Sequence, residues 1–349
     1  MKNKIAGKIT AGVAALSAVF AGSALQQPEP VLAAALSSTV PIILDVDTGR
    51  DDAWTIIGAM DEYEIRAIVT SYGNIPSEKA LANTLSMVSL AERSLTRLGS
   101  RPPVWRGEAQ PLTPDNKVAN AELARREKIN GNGLCDLLRP HTVRAVEEST
   151  SWADDIRVLL QTTKKTDYII CGPLTNLARL IDNFEAHGLD IRDYINRIVV
   201  MGGSFDSAIP VDFNFKADPV AAQKVIALFK DKVTLVPFDE TKKLKLTLPE
   251  IYKLSATDKA AEFCQELMVA HAKGWSADNS ILLHDPATLF ALDNAGDTIM
   301  QKVKIVQNGE LSGKIIEDPQ GTPVRRFVIA PGAENHIRTA VLQKIGLRL

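Results

Sequence analysis

The chain has 349 residues, enough for one large α/β domain or two ordinary ones, with the 45% hydrophobic and 23% charged content of an ordinary soluble globular protein. A formal charge of −2, with no long Lys/Arg cluster interleaved with aromatics, excludes a nucleic-acid-binding surface as the basis of function. The three cysteines, Cys135, Cys171 and Cys264, are too scattered for a disulfide framework or a zinc site and read as small buried hydrophobes.

At the amino terminus Lys2, Lys4 and Lys8 precede a charge-free stretch, Ile9 to Leu25, rich in Ala, Val and Gly, with small-residue sites at Ala21 to Ala24 and Ala33 to Ala35. This layout predicts a secretory signal over 1–35, hence an exported protein (secreted, periplasmic or held at the cell envelope), and one domain over 36–349. The apolar run is diluted by small residues and short of a span of about 20 residues. A retained, uncleaved signal is the alternative.

The apolar run from Pro41 reads as a buried strand ending in Asp45 and Asp47, followed by a turn at Gly49 and a helix over 51–60 that opens with Asp51 and Asp52. Side chains two apart in a strand share a side, so Asp45 and Asp47 project together at its carboxyl end. Asp51 and Asp52 sit in the first helical turn, where the dipole favours negative charge by at most about 1 kcal/mol each. That is too little to offset four anions crowded into a crevice. A cation is expected there, and oxygen donors without a local His or Cys suit a hard ion such as Ca²⁺ or Mg²⁺.

A second strand is expected over 64–73 and a helix over 76–98, where Leu81, Leu85, Val88 and Leu95 recur at helical spacing. Residues 99–148, with Pro102, Pro103, Pro111 and Pro114 and then Asn130-Gly-Asn-Gly-Leu134, read as a long irregular connection of the kind that forms a lid. Alternation then resumes, with helix 151–163, strand 167–171, a helix from Pro173, strand 197–201, helix 219–229 and strand 232–237. Helices near 257–274 and 286–292 follow, then a strand over 302–307. A hairpin is expected from Lys314–Glu317 and Val324–Ile329 about a turn at Asp318-Pro-Gln-Gly321, and a last helix near 333–346. The succession of β and α units predicts an α/β fold: an open, mostly parallel, Rossmann-like sheet with helices on both faces and a small C-terminal β-hairpin.

The strand ends carry Asp45-Val-Asp-Thr-Gly-Arg-Asp-Asp-Ala53, Gly73-Asn74, Cys171-Gly-Pro-Leu-Thr-Asn-Leu-Ala178, Met201-Gly-Gly203, Asp212-Phe-Asn214 and His284-Asp-Pro286. In this order they resemble the inosine-uridine-preferring nucleoside hydrolase family from about residue 40 to the C-terminus. The resemblance implies a nucleoside N-ribohydrolase domain acting on small ribonucleosides, with a Ca²⁺ at the pocket floor and a homodimeric or homotetrameric assembly. By match to the family motifs, Asp47, Asp52 and Asp285 hold the ion with carboxylates and Cys171 with its backbone carbonyl. Asp47 is the base that takes a proton from water, and Asn74 fixes Asp47 and the water. Asp51, Asn214 and Asp285 bind the ribose diol, Met201 lines its 5′ side, and Asp212 reaches for the sugar. His284, beside Asp285, protonates the departing base, work suited to an imidazole. Asp45 supports the ion's ligands from behind, and Thr175 and Asn176 brace the helix after the Gly-Pro turn.

Four departures from the family pattern stand out. Thr48 replaces a Pro, and Asp212 replaces a Glu. The loop Ser204–Val211 is short and lacks an Asn for the 5′-hydroxyl, and Asn130 stands where many members have a lid histidine. Three of these touch substrate contacts rather than the metal, so the 5′ end is expected to be held differently. Trp275 is a candidate to stack on the base, His271 a weaker pocket candidate, and Trp105 and Asn132 belong to the lid. Two other functions are weighed. A haloacid-dehalogenase-type phosphatase resembles Leu-Asp-Val-Asp-Thr but leaves His284-Asp285 unexplained, and an exported nucleoside-binding protein without turnover would keep the ion and ribose contacts.

Overall fold

The structure is a computed structural model that describes residues 40–91, 101–137, 151–208 and 211–349. The signal expected over 1–35 lies outside the described residues. Strands built from Ile, Val and Leu with almost no exposed position must be covered on both sides. Ile42–Val46 (β1), Thr166–Ile170 (β4) and Val233–Val236 (β6) are buried along their whole length. With Ile65–Thr70 (β2), Val104–Arg106 (β3) and Ile195–Met201 (β5) they form a parallel sheet in the order β3-β2-β1-β4-β5-β6. Alternate residues point into two cores. Ile42, Leu44 and Val46 face helices that include Arg50–Glu62, Lys259–Gly274 and Ala287–Asp293, whereas Ile43 faces Thr175–Ala186 and Pro219–Phe229.

The strand order reverses between β1 and β4, and the crevice at the carboxyl ends there is where open α/β sheets bind ligands. Leu44 stands opposite Ile169 and Asp45 opposite Ile170, so the two strands end level and release Asp47 and Cys171 side by side.

Two expectations are corrected. The stretch read as irregular over 99–148 contains edge strand β3 and a 14-residue helix, Lys117–Asn130; residues 138–150 of it lie outside the described residues. That helix carries charge on nearly every side, so it has no apolar stripe to announce it. The hairpin is the second. After the short strands Lys245–Thr247 (β7), Ser255–Ala256 (β8) and Ser280–Leu282 (β9), the chain forms Thr298–Ile305 (β10), Ile315–Glu317 (β11) and Thr322–Phe327 (β12). An antiparallel hairpin is present, but its arms are β10 and β11; β12 pairs with the other side of β10 and adds in parallel to β6. The turn at 318–321 is a crossover past β10, so tight that a Cβ on Gly321 would lie 2.6 Å from the Val303 carbonyl oxygen. No helix among the described residues is long and apolar enough to cross a membrane.

Candidate active site

The floor of the site is laid by two turns. Strand β1 ends at Val46, and the helix begins at Arg50, so Asp47 and Asp52 face each other across four residues. Asp52 takes the Gly49 N–H at 2.9 Å and the Asp47 N–H at 3.2 Å, which closes the turn and capping contact in one side chain. Asp47 is clamped from the end of β2: its carboxylate accepts the Asn74 N–H at 2.7 Å and the Asn74 side-chain amide at 3.0 Å. Gly73 makes this possible, because a Cβ there would stand 1.9 Å from Asp47 Oδ2. From the far end of the chain, Asp285 enters just ahead of the helix Ala287–Asp293. Oxygens of Asp52 and Asp285 and the Cys171 sulfur all lie within 4.8 Å of one another.

Electrostatics say what this floor lacks. Burial and the neighbouring charges of Asp51, Asp52 and Asp47 hold the Asp285 carboxyl well above its usual range. Asp47 is pushed up by burial and then by Asp52, and Asp52 by burial and then by Asp51, to about 7. Behind them, burial takes Asp45 to about 8 although Asn176 and Tyr168 donate to it at 2.8 and 3.1 Å. Buried acids without a positive partner keep their protons; a divalent cation removes that penalty. The donor set fits a hard ion: carboxylate oxygens dominate, and burial raises the Cys171 thiol so that it stays neutral. The Cys171 carbonyl accepts the Asn214 amide at 2.7 Å, and Asn214 also donates to the Met201 carbonyl at 2.9 Å. Asn214 thereby ties the ends of β4 and β5 together.

Above the floor is an inner cavity of about 190 Å³, walled in part by Asp51, Asn74, Met201, Asp212, Asn214 and Asp285. It meets an outer vestibule of about 720 Å³; Asp51, Asn74, Arg126 and His284 belong to both. His284 sits at the junction. Its Nδ1 is hydrogen-bonded to the Thr241 hydroxyl at 2.7 Å, and its ring stacks on Phe238 with centroids 5.1 Å apart. Burial lowers its basicity. Asp212 uses Oδ1 to cap the short helix Phe213–Ala217 through the Phe215 N–H at 3.0 Å.

The sequence-selected residues Asp47, Asp51, Asp52, Asn74, Cys171, Met201, Asp212, Asn214, His284 and Asp285 thus converge on one crevice. Trp275 and His271 line the vestibule, where burial lowers His271 to about 4 and its ring stacks on Trp54. Trp105 and Asn132 do not reach it. The Trp105 indole donates to Asp155, and Asn132 caps its own turn through the N–H groups of Leu134 and Asp136. Asn130 faces inward as a clamp: it donates to the Asn74 carbonyl at 2.9 Å and accepts from Arg50 at 3.1 Å. Thr241, Phe238, Arg50 and Arg126 are the site residues missed in the sequence. Arg50 lies inside the first motif among its acids, the other three stand outside any motif, and Thr241 and Phe238 follow β6 in a one-turn helix, Phe238–Thr241.

A sequence profile of the inosine-uridine preferring nucleoside hydrolases matches residues 42–343. A pyrimidine-specific ribonucleoside hydrolase RihA of Shewanella sp. (strain MR-7) is 32% identical over 268 residues, covering 73% of this chain and 78% of the relative. The RihA of Photobacterium profundum is 30% identical over 262 residues, covering 71% and 78%. Among solved structures, a purine-preferring ribonucleoside hydrolase from Gardnerella vaginalis superimposes with a TM-score of 0.69 at 24% identity, over 88% of this chain and 99% of its own. The plant nucleoside hydrolase PpNRh1 does so with a TM-score of 0.71 at 20% identity, over 88% and 99%.

Proposed function

Because the chain belongs to the inosine-uridine preferring nucleoside hydrolase family, we propose that it hydrolyses the N-glycosidic bond of ribonucleosides at the crevice between β1 and β4, with Ca²⁺ as its ion. The observation that carries this reading is the meeting of Asp52 and Asp285, 233 positions apart in the sequence, beside an Asp47 clamped by Asn74. Asp47, Asp52 and Asp285 would hold the ion, which when bound lowers the pKa of water and anchors a diol.

The protein's own groups do the rest. Asp47 accepts the proton of the attacking water, and the two hydrogen bonds from Asn74 fix the carboxylate that receives it. Asp51 and Asp285 accept from the ribose hydroxyls, and the Asn214 oxygen is available to do so because both its amide hydrogens are used on backbone carbonyls. As positive charge develops on the ring, the acids below it stabilise the transition state. Burial disfavours the charged form of the His284 ring, and the neighbouring Asp51 carboxylate favours it. The Thr241 hydroxyl gives its proton to the Phe238 carbonyl and can accept from Nδ1–H, so the imidazolium form of His284 would present Nε2–H to the departing base and return to the neutral ring. Phe238 holds the ring plane. Export through the 1–35 signal would make the enzyme a salvage activity on external nucleosides.

The base is chosen elsewhere. The relatives named above are called pyrimidine-specific and purine-preferring, so the test uses both classes. Uridine, cytidine, inosine and adenosine are incubated with the protein, and free base is followed by chromatography with and without a calcium chelator. Base and ribose released in equal amounts, and stopped by the chelator, is the expected result. Binding without base release would overturn the assignment.

A further inference from the structure

Most hydrogen-bond donors of the inner cavity are committed to partners within the protein, while its acids remain acceptors. Asn74 is engaged by Asp47, Asn214 by the carbonyls of Cys171 and Met201, Asp212 by backbone N–H groups, and the His284 Nδ1 by Thr241. Arg126 is the exception. It lies on the helix Lys117–Asn130, lines both the cavity and the vestibule, and has its guanidinium 4.2 Å above the Phe213 ring. Its Nε is buried without a hydrogen-bond partner, and its one ion pair, to Glu122 at 3.5 Å, is shared with Arg125 and Lys216. An arginine has five N–H donors, and this one places none of them in hydrogen bonds among the described residues.

Stereochemistry says what would use them. In a β-ribonucleoside the 2′- and 3′-hydroxyls lie on one face of the furanose, and C5′ and the base lie on the other. A diol seated on the acid floor therefore sends both C5′ and the base toward the mouth. Arg126 lines that part of the cavity together with Asp212 and His284. His284 takes the base side, and the sequence Ser204–Val211 contains no Asn or Gln side chain for the other. Resting on the nucleoside hydrolase reading, we propose that Arg126 binds the oxygen on C5′ of the substrate, either a hydroxyl or a phosphate monoester.

The test is a cycle between one side chain and one substrate atom. Wild type and Arg126→Met, which keeps an unbranched stem on Phe213, are compared on uridine and 5′-deoxyuridine, with uridine 5′-monophosphate as a third substrate. Loss of a charged hydrogen bond predicts a fall in kcat/KM of about 10- to 100-fold on uridine, and a change within about threefold on 5′-deoxyuridine. Arg126→Lys should recover part of the loss. If the phosphate is the preferred partner, wild type turns over the monophosphate faster than uridine and Arg126→Met loses that substrate most; if the hydroxyl is, the monophosphate is the poorer substrate. Equal losses on uridine and its deoxy analogue overturn the assignment while leaving hydrolase activity standing. A wild type that releases base from no nucleoside overturns both.

Discussion

The floor of the pocket and its mouth are built on opposite principles. On the floor, Asp47, Asp52 and Asn74 lock one another through bonds of 2.7 to 3.4 Å, and the price of that rigidity is a set of buried acids whose protons are held by burial and mutual repulsion. At the mouth, most charged groups are cationic, and the three lysines are turned to local partners: Lys242 to Asp206, Lys243 to Glu240, Lys245 to Asp278. The exposed Trp275 and the uncommitted Arg126 complete the rim. Under the proposed function the floor would hold one ion and one diol. The mouth has room and unused donors, which suits a variable base and C5′ substituent. Reaction class and substrate choice thus live in separate layers.

Substitutions on the floor should therefore act on every substrate alike, and substitutions at the mouth should act on some. Removing the general base by Asp47→Ala should lower kcat by about 10²- to 10⁴-fold on all nucleosides, measured by base release at saturating substrate. A rate within tenfold of wild type would show that Asp47 is not the base. His284→Ala should cost about 10²-fold, but less on nucleosides whose base leaves readily without a proton, such as p-nitrophenyl riboside used as a surrogate. An equal loss on that surrogate would remove His284 from the acid role. Thr241→Val breaks the hydrogen bond that holds His284 Nδ1 and should cost about five- to tenfold in kcat with KM little changed. A change confined to KM would argue for a purely steric role.

The gentlest test reads stability. Asp52, at about 7, is raised above its unfolded value near 3.8, and Asp47 and Asp285 are raised as well. The folded, ion-free state then binds more protons than the unfolded chain. Its stability is greatest at acid pH and falls as pH rises from about 4 through 7, by about 1.4 kcal/mol per pH unit for each group still protonated. Saturating Ca²⁺ should reverse that slope, since it binds the ionised acids. Thermal melts at pH 5 and 8, with chelator and with Ca²⁺, give the four values needed. A chelated protein that melts higher at pH 8 than at pH 5 would contradict the account.

Much of the floor could be read in the sequence because it sits in short motifs at strand ends. An apolar run followed by Asp45, Asp47, Asp51 and Asp52 states both its strand and its charge problem, and the resemblance carried Asn74, Asn214 and Asp285 to the same place. The mostly parallel sheet followed from alternating β and α units, whereas its strand order and the switch point between β1 and β4 are set by packing that no local pattern states. The mouth was not legible for a physical reason. Arg126 belongs to a helix that is polar on nearly every side and so carries no periodic signal, and Thr241 and Phe238 occupy a single turn whose importance lies in touching His284, 43 positions after Thr241. The crossover of β12 was hidden similarly: 318–321 reads as a reversing turn, yet what decides its path is the close approach of Gly321 to the Val303 backbone.

The central claim is that acids distant in the chain share one hard cation, and calorimetric titration of Ca²⁺ into chelator-stripped protein tests it most directly. The account predicts one site per chain, abolished by Asp52→Asn and by Asp285→Asn, with both variants folded and melting at or above the ion-free wild type at pH 8, because each removes a buried charge. Binding that survives both substitutions, or no binding to the wild type, would contradict it.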